Sequence, residues 1–263
     1  MTMFTDGSMK IKSNAGATSI AFIILLAQVF AAEAAEVKVL CTGAIAPIMN
    51  ELVPRFERET GHKLAIRYEF GPVLKRQIEG GEAFDVAILS LDINDLIKQG
   101  KLAADTRVVL GRTGVGVGVR KGAPKPDIGT TEAFKRTLLN AKSVAYGKEA
   151  PTGVHFIGLL ARLGIAEDMK AKLRPYPVPG SVEAVAAGEA EIVVNGTVVI
   201  AAVPGVELVG GLPPELQTYV VFTAGVSATA KEAEAGKAFL HFLTTPEASA
   251  VFKAKGLEPG TPR

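Results

Sequence analysis

Val37-Lys38-Val39-Leu40-Cys41 is an apolar run of strand length, and it leads through the small-residue turn Thr42-Gly43-Ala44 into a helix-periodic segment, Ile45–Thr60. The sequence then repeats itself. A strand-like stretch, Lys63–Phe70, runs into Gly71-Pro72 and a second helical segment, Val73–Glu79. Each turn ends a strand and opens a helix, so unpaired backbone N–H groups and a positive helix end face the same crevice. Such a crevice suits a small anion.

The alternation continues. Phe84–Leu89 reads as a short buried strand, Asp92–Gln99 as a helix stopped by Gly100, and Arg107–Thr113 as another strand. In Gly114-Val115-Gly116-Val117-Gly118-Val119 valine and glycine alternate with a period of two, which marks a strand with one face open to a close neighbour. The same strict period argues against a phosphate-binding turn. Residues 114–126, ending in Lys121-Gly122-Ala123-Pro124-Lys125-Pro126, are expected to cross from one lobe to another. Beyond them the pattern starts again. Helices are predicted over Thr131–Ala141, from Thr152-Gly153 to Leu163, and over Ser181–Ala187. Extended segments are predicted over Ser143–Tyr146, Leu173–Pro177, Ile192–Val194 and Val206–Val209. Thr218–Ser227 reads as the return crossing, followed by helices over Ala230–Leu243 and Pro246–Lys255. Strands alternating with helices predict α/β architecture with parallel sheet. The domain expectation is a lobe of residues 35–117 and 223–263, a second lobe of 118–222, and a cleft between them. In open sheets of this kind a ligand sits beyond the carboxyl ends of the strands.

Composition adds a compartment. Lys10 and Lys12 precede an apolar stretch over 15–30, and Ala32-Glu33-Ala34 is an A-x-A cleavage pattern, so residues 1–34 are expected to be a signal peptide, with Met1 or Met9 as its start. The mature chain is therefore expected outside the cytoplasm. Net charge is only +2, and no basic block with interleaved aromatics points to nucleic acid. Cys41 is the single cysteine, which forbids an intrachain disulfide, and its apolar setting predicts burial. Three scattered histidines give no metal signature, and no cofactor is expected.

Phe56-Glu57-Arg58-Glu59-Thr60-Gly61, Leu74-Lys75-Arg76-Gln77-Ile78-Glu79-Gly80-Gly81 and Phe84-Asp85-Val86-Ala87-Ile88-Leu89-Ser90, in that order, resemble the opening of periplasmic solute-binding proteins of the molybdate-binding type. The resemblance implies a two-lobed type II periplasmic-binding fold hinged by two crossing strands. It also implies a periplasmic location, with an ABC-type permease and its ATPase as partners. In that family hydroxyls on the first two turns and a tyrosine in the second lobe hold the oxyanion. Here the corresponding places carry Ala44, Gly71-Pro72 and Asn195. Residues 105–146, with Asp105-Thr106-Arg107, Gly122–Ile128 and Ser143–Tyr146, together with Thr152-Gly153-Val154, resemble a subgroup that includes the bacterial aconitate isomerase. The resemblance shifts the expected ligand from molybdate toward a small organic carboxylate.

The candidate ligand-binding residues are Thr42, Gly43 and Ala44 on the first turn and Gly71 and Pro72 on the second. The opposing jaw is expected to offer Thr152, Gly153 and Val154 at one helix start and Asn195 and Thr197 at another. We expect a monomer that captures a small anion for its permease. The alternatives are an isomerase of aconitate type, for which His155 is the weak candidate general base with Tyr146 and Glu149 behind it, and a binder of molybdate or another oxyanion.

Overall fold

The computed structural model describes residues 34–259 together with Thr2 and Met3; the expected signal peptide lies almost wholly outside the described residues. In chain order the strands are β1 (Glu36–Thr42), β2 (Lys63–Glu69), β3 (Val86–Leu89), β4 (Val108–Arg120), β5 (Val144–Gly147), β6 (Leu173–Tyr176), β7 (Ile192–Gly196), β8 (Val206–Gly211), β9 (Tyr219–Val226) and β10 (Glu258–Pro259). The helices are α1 (Ala46–Thr60), α2 (Gly71–Glu79), α3 (Asn94–Lys98), α4 (Thr131–Asn140), α5 (Pro151–Arg162), α6 (Ala166–Met169), α7 (Ser181–Ala187), α8 (Thr197–Ala202), α9 (Ala233–Leu243) and α10 (Pro246–Ala254).

The strands run in the order β2-β1-β3-β9-β4-β7-β5-β6, with β8 and β10 also paired to β4. Each outer part is parallel: β1 pairs β2 and β3, and β5 pairs β6 and β7. The centre is antiparallel, because β9 pairs β3 and β4, and β4 pairs β7 and β8. The expected parallel pairing is therefore found within each half. A chain that leaves one half, builds the other and returns must run its crossing segments in opposite directions.

The first crossing is one unbroken strand rather than a strand followed by a linker. Residues 108–114 of β4 pair with β9, and 115–119 pair with β7, so the strand changes partners at Gly114/Val115. Val115, Val117 and Val119 point into a core with Phe156, Leu159 and Leu160 of α5. The glycines take the other face. A Cβ at Gly116 would lie 2.6 Å from the Gly210 carbonyl, and one at Gly118 would lie 2.7 Å from Ile200 Cγ2, so α8 and β8 approach only because side chains are absent.

Alternation along β1 and β3 explains the layers on the other side. Val37, Val39, Cys41, Val86 and Ile88 share a core with Ile48, Met49, Leu52 and Phe56 of α1 and with Phe239 of α9. Leu40, Ala87 and Leu89 face the opposite way, toward Leu74 and Ile78 of α2. A sheet covered on both faces reads as near-continuous apolar runs, which is what these strands show. Helix α1 is amphipathic through the 3–4 spacing of its buried residues and stops at Gly61, whose φ of 78° lets its N–H reach the Glu57 carbonyl at 3.0 Å.

Candidate functional site

A cleft of about 490 Å³ lies where the carboxyl ends of the strands meet helix starts. One wall carries Thr42, Gly43 and Ala44 after β1, Tyr68, Glu69 and Phe70 at the end of β2, and Ser90 after β3. The opposite wall carries Ala150–Thr152, Pro177–Glu183, and Asn195 with Gly196. The crossing strands floor it with Thr113, Val220 and Phe222. Among the described residues no lysine, arginine or histidine lines it, and the carboxyls that do are Glu69 and Glu183. Much of its wall is apolar, through Pro177, Val178, Pro179, Val199, Val203, Val220 and Phe222.

Three helix starts open onto this space with no side chain capping them: the 3-10 turn Gly43–Ile45 that leads into α1, then α5 and α7. Their first N–H groups have no partner within their own helices. Gly180 sets up the third start with a φ of 149°, a conformation that side chains with a Cβ rarely adopt. Two further starts are already occupied. Glu69 Oε1 accepts from the Phe70 N–H at 2.7 Å, which places a carboxylate at the head of α2. Thr113 Oγ1 accepts from the Val198 N–H at 3.2 Å, which satisfies a donor of α8.

The hydroxyls are paired. Thr42 Oγ1 and Ser90 Oγ are 3.3 Å apart. Thr152 Oγ1 donates to Asn195 Oδ1 at 3.2 Å, and Asn195 Nδ2 donates to Ser181 Oγ at 3.0 Å, so one amide ties the heads of α5 and α7 to the end of β7. Thr42, Thr152 and Ser181 are all buried. Tyr68 holds its hydroxyl 3.5 Å from Asn50 Oδ1; burial, with the neighbouring Cys41, pushes its phenol up to about 12. Cys41 is buried beside Thr42, and desolvation pushes its thiol far above the ordinary range, so it stays a protonated core residue.

The structure gathers Thr42, Gly43, Ala44, Thr152 and Asn195 on the cleft walls. The other candidates sit beside it. Gly71 and Pro72 form the first turn of α2 behind Phe70, and a Cβ at Gly71 would lie 2.8 Å from Ser90 Oγ. The hydroxyl that the second turn lacks is therefore present at nearly the same place, supplied by β3. Gly153 packs against the Gly147 carbonyl, where any Cβ would collide. Val154 points to solvent, and the Thr197 hydroxyl is held by Thr113 at 3.0 Å. His155 turns away from the cleft and bonds the Leu216 carbonyl at 2.8 Å. Tyr146 packs edge-on against Phe156, and Glu149 is an exposed neighbour of Lys148. Thr152 is not an N-cap; Ala150 holds that position. Among the described residues no three metal-ligating side chains cluster, and no helix is long and apolar enough to cross a membrane.

Sequence reasoning missed Ser90, Ser181 and the Pro177–Gly180 wall. The available signals were a hydroxyl directly after an apolar strand and a serine opening a helix.

Comparison with known proteins places the chain in a family. Residues 37–258 match the family described as bacterial extracellular solute-binding protein. The aconitate isomerase of a Pseudomonas species is 32% identical over 228 residues, covering 84% of this chain and 87% of that protein. The molybdate-binding protein ModA of Azotobacter vinelandii is 30% identical over 236 residues, covering 86% and 91%. In structure, the substrate-binding domain of a putative molybdenum ABC transporter from Clostridium difficile superposes with a TM-score of 0.71 at 18% identity, covering 87% of this chain and all of that one. That likeness is one of fold: two lobes joined by crossing strands.

Proposed function

The chain belongs to the bacterial extracellular solute-binding proteins, and from that premise we propose that its cleft captures a small organic carboxylate in the periplasm and presents it to an ABC-type permease. The observation that carries this reading is the pairing of open helix starts with apolar walls. The N–H groups at Gly43–Ile45, at the head of α5 and at Ser181–Glu183 are donors for an anionic group. Pro177, Val178, Val203 and Phe222 offer a carbon skeleton the apolar contact that a bare oxyanion would not use. Lobes of 35–117 with 223–263 and of 118–222, hinged at Gly114/Val115, would close over the ligand and form the surface a permease reads.

Two other readings have specific support. The Thr42–Ser90 hydroxyl pair and the molybdate-binding relatives favour an oxyanion. The aconitate isomerase relative favours turnover in the same cleft. For turnover, the groups at hand for proton transfer are Glu69, Glu183 and Tyr68 rather than His155, which is engaged elsewhere.

Thermal-shift titration with molybdate, tungstate and a panel of carboxylates separates the first two readings, since a ligand that binds the folded state raises its melting temperature by mass action. We expect shifts with carboxylates; a shift with molybdate and tungstate alone would replace the carboxylate reading by the oxyanion one. Incubation with cis- and trans-aconitate followed by NMR tests turnover, and interconversion would identify an enzyme.

A further inference from the structure

One contact fixes the direction of the hydrogen bonds that the Asn195 amide makes in the second jaw. The Gly196 N–H can only donate, and it meets the Asn195 side chain at 2.7 Å, so the atom it meets is the carbonyl Oδ1. The two ends of the amide are thereby distinguished. Thr152 Oγ1, 3.2 Å from the same Oδ1, has to give that oxygen its proton. Asn195 Nδ2, 3.0 Å from Ser181 Oγ, has to donate to the serine. Thr152 is 5% exposed and Ser181 2% exposed, so bulk water does not scramble these roles. The serine keeps its own proton free to donate. The threonine has none left, and toward the cleft it presents only oxygen lone pairs.

We propose that Asn195 is a positioning residue that makes this jaw select a hydroxycarboxylate. Ser181 donates to the carboxylate, and Thr152 accepts from a hydroxyl on the same ligand. An unsubstituted acid leaves the Thr152 lone pairs without a donor, although the threonine proton stays on Asn195 Oδ1. A fully deprotonated oxyanion sets its oxygens against the threonine lone pairs, and it recruits the threonine proton only by breaking a buried hydrogen bond. The inference rests on the carboxylate reading and narrows it.

Titration calorimetry on matched pairs that differ by one hydroxyl tests it: lactate with propionate, malate with succinate, citrate with tricarballylate. In any pair that binds, the hydroxy acid should be favoured by about tenfold or more, because a buried polar group left unpaired is costly. Thr152→Val should erase most of that preference while Thr152→Ser keeps it. Asn195→Asp presents acceptors to both Thr152 and Ser181, draws the serine proton out of the cleft, and should weaken both members of a pair alike. Equal binding within the pairs, or a preference that survives in Thr152→Val, overturns the inference and leaves the carboxylate reading standing. Binding of molybdate with no carboxylate bound at all overturns both. Should Thr152→Val not fold, the wild-type pairs still decide.

Discussion

Three helix starts at the cleft and two at the rim are finished differently. At the rim, away from the cleft, α4 and α10 each take a threonine acceptor, while the short helices α3 and α6 start without a side-chain cap. Thr130 takes the Ala133 N–H at the head of α4 at 3.1 Å, and Thr245 takes the Ala248 N–H at the head of α10 at 3.3 Å. Asp85, just before β3, accepts from the Lys231 and Glu232 N–H groups, at 2.8 and 3.0 Å, just ahead of α9. At the cleft the lead-in to α1, the head of α5 and the head of α7 carry no side-chain cap. A capped start is worth about 1 kcal/mol to the fold, so an uncapped one forgoes that stability and keeps its donors available. Under the proposed function the same element would serve stability in one place and recognition in the other.

Substitutions can break this contrast from either side. The largest expected effect is at the rim. Asp85 is buried and also accepts from the Lys38 N–H at 2.8 Å, so Asp85→Ala strands three backbone donors and should cost roughly 3–5 kcal/mol in urea denaturation. Ligand affinity of the folded fraction should not move. Next comes the cleft: Ser90→Ala removes the hydroxyl facing Thr42 and should weaken ligand binding about tenfold while changing stability by less than about 1 kcal/mol. A loss of stability without a loss of affinity would make that hydroxyl pair a structural one. Smaller again, Thr130→Ala should cost about 1 kcal/mol and leave the titration curve where it was. If it altered affinity, the separation of rim from cleft would be wrong.

Why part of this was legible in the sequence follows from what each part depends on. The order of strands and helices from Val37 to Leu89 is carried by local periodicity, so it could be read directly, with α2 starting two residues earlier than the pattern suggested because Phe70 takes the N-cap. The antiparallel centre depends on β3 meeting β9, more than a hundred residues away in sequence, and no local pattern encodes that pairing. The cleft divides the same way. Thr42–Ala44 and Asn195 stand directly at the ends of strands, where the geometry of an α/β sheet puts a ligand, and they line it. Val154 stands two residues past Thr152, and the turn of α5 carries it round to solvent. Ser90 comes beside Gly71 only in three dimensions, and the Pro177–Gly180 wall has no period to read.

The remaining effect concerns pH and is absent at neutrality, where Cys41 and Tyr68 are both protonated in the folded and the unfolded chain. Cys41 and Tyr68 are neutral when protonated, and the fold favours that form in both: burial raises the thiol, and burial together with Cys41 pushes the phenol up to about 12. In the unfolded chain they ionise at their ordinary values of 9.0 and 10.0. Above those values the unfolded state holds fewer protons than the folded state, so stability falls as pH rises; below them both states are protonated and the two groups contribute no slope. The urea midpoint should therefore begin to drop once pH passes 9, and the part due to Tyr68 should develop above 10 and be complete by about 12. Tyr68→Phe removes only that upper part and leaves the thiol-linked fall in place. Tyr68 lines the cleft and Cys41 lies in the core behind Thr42, so the two profiles divide the wall from what supports it. An unchanged profile in Tyr68→Phe would mean that the phenol is as well hydrated in the cleft as in the unfolded chain, and the wall would then be wetter than its apolar lining implies.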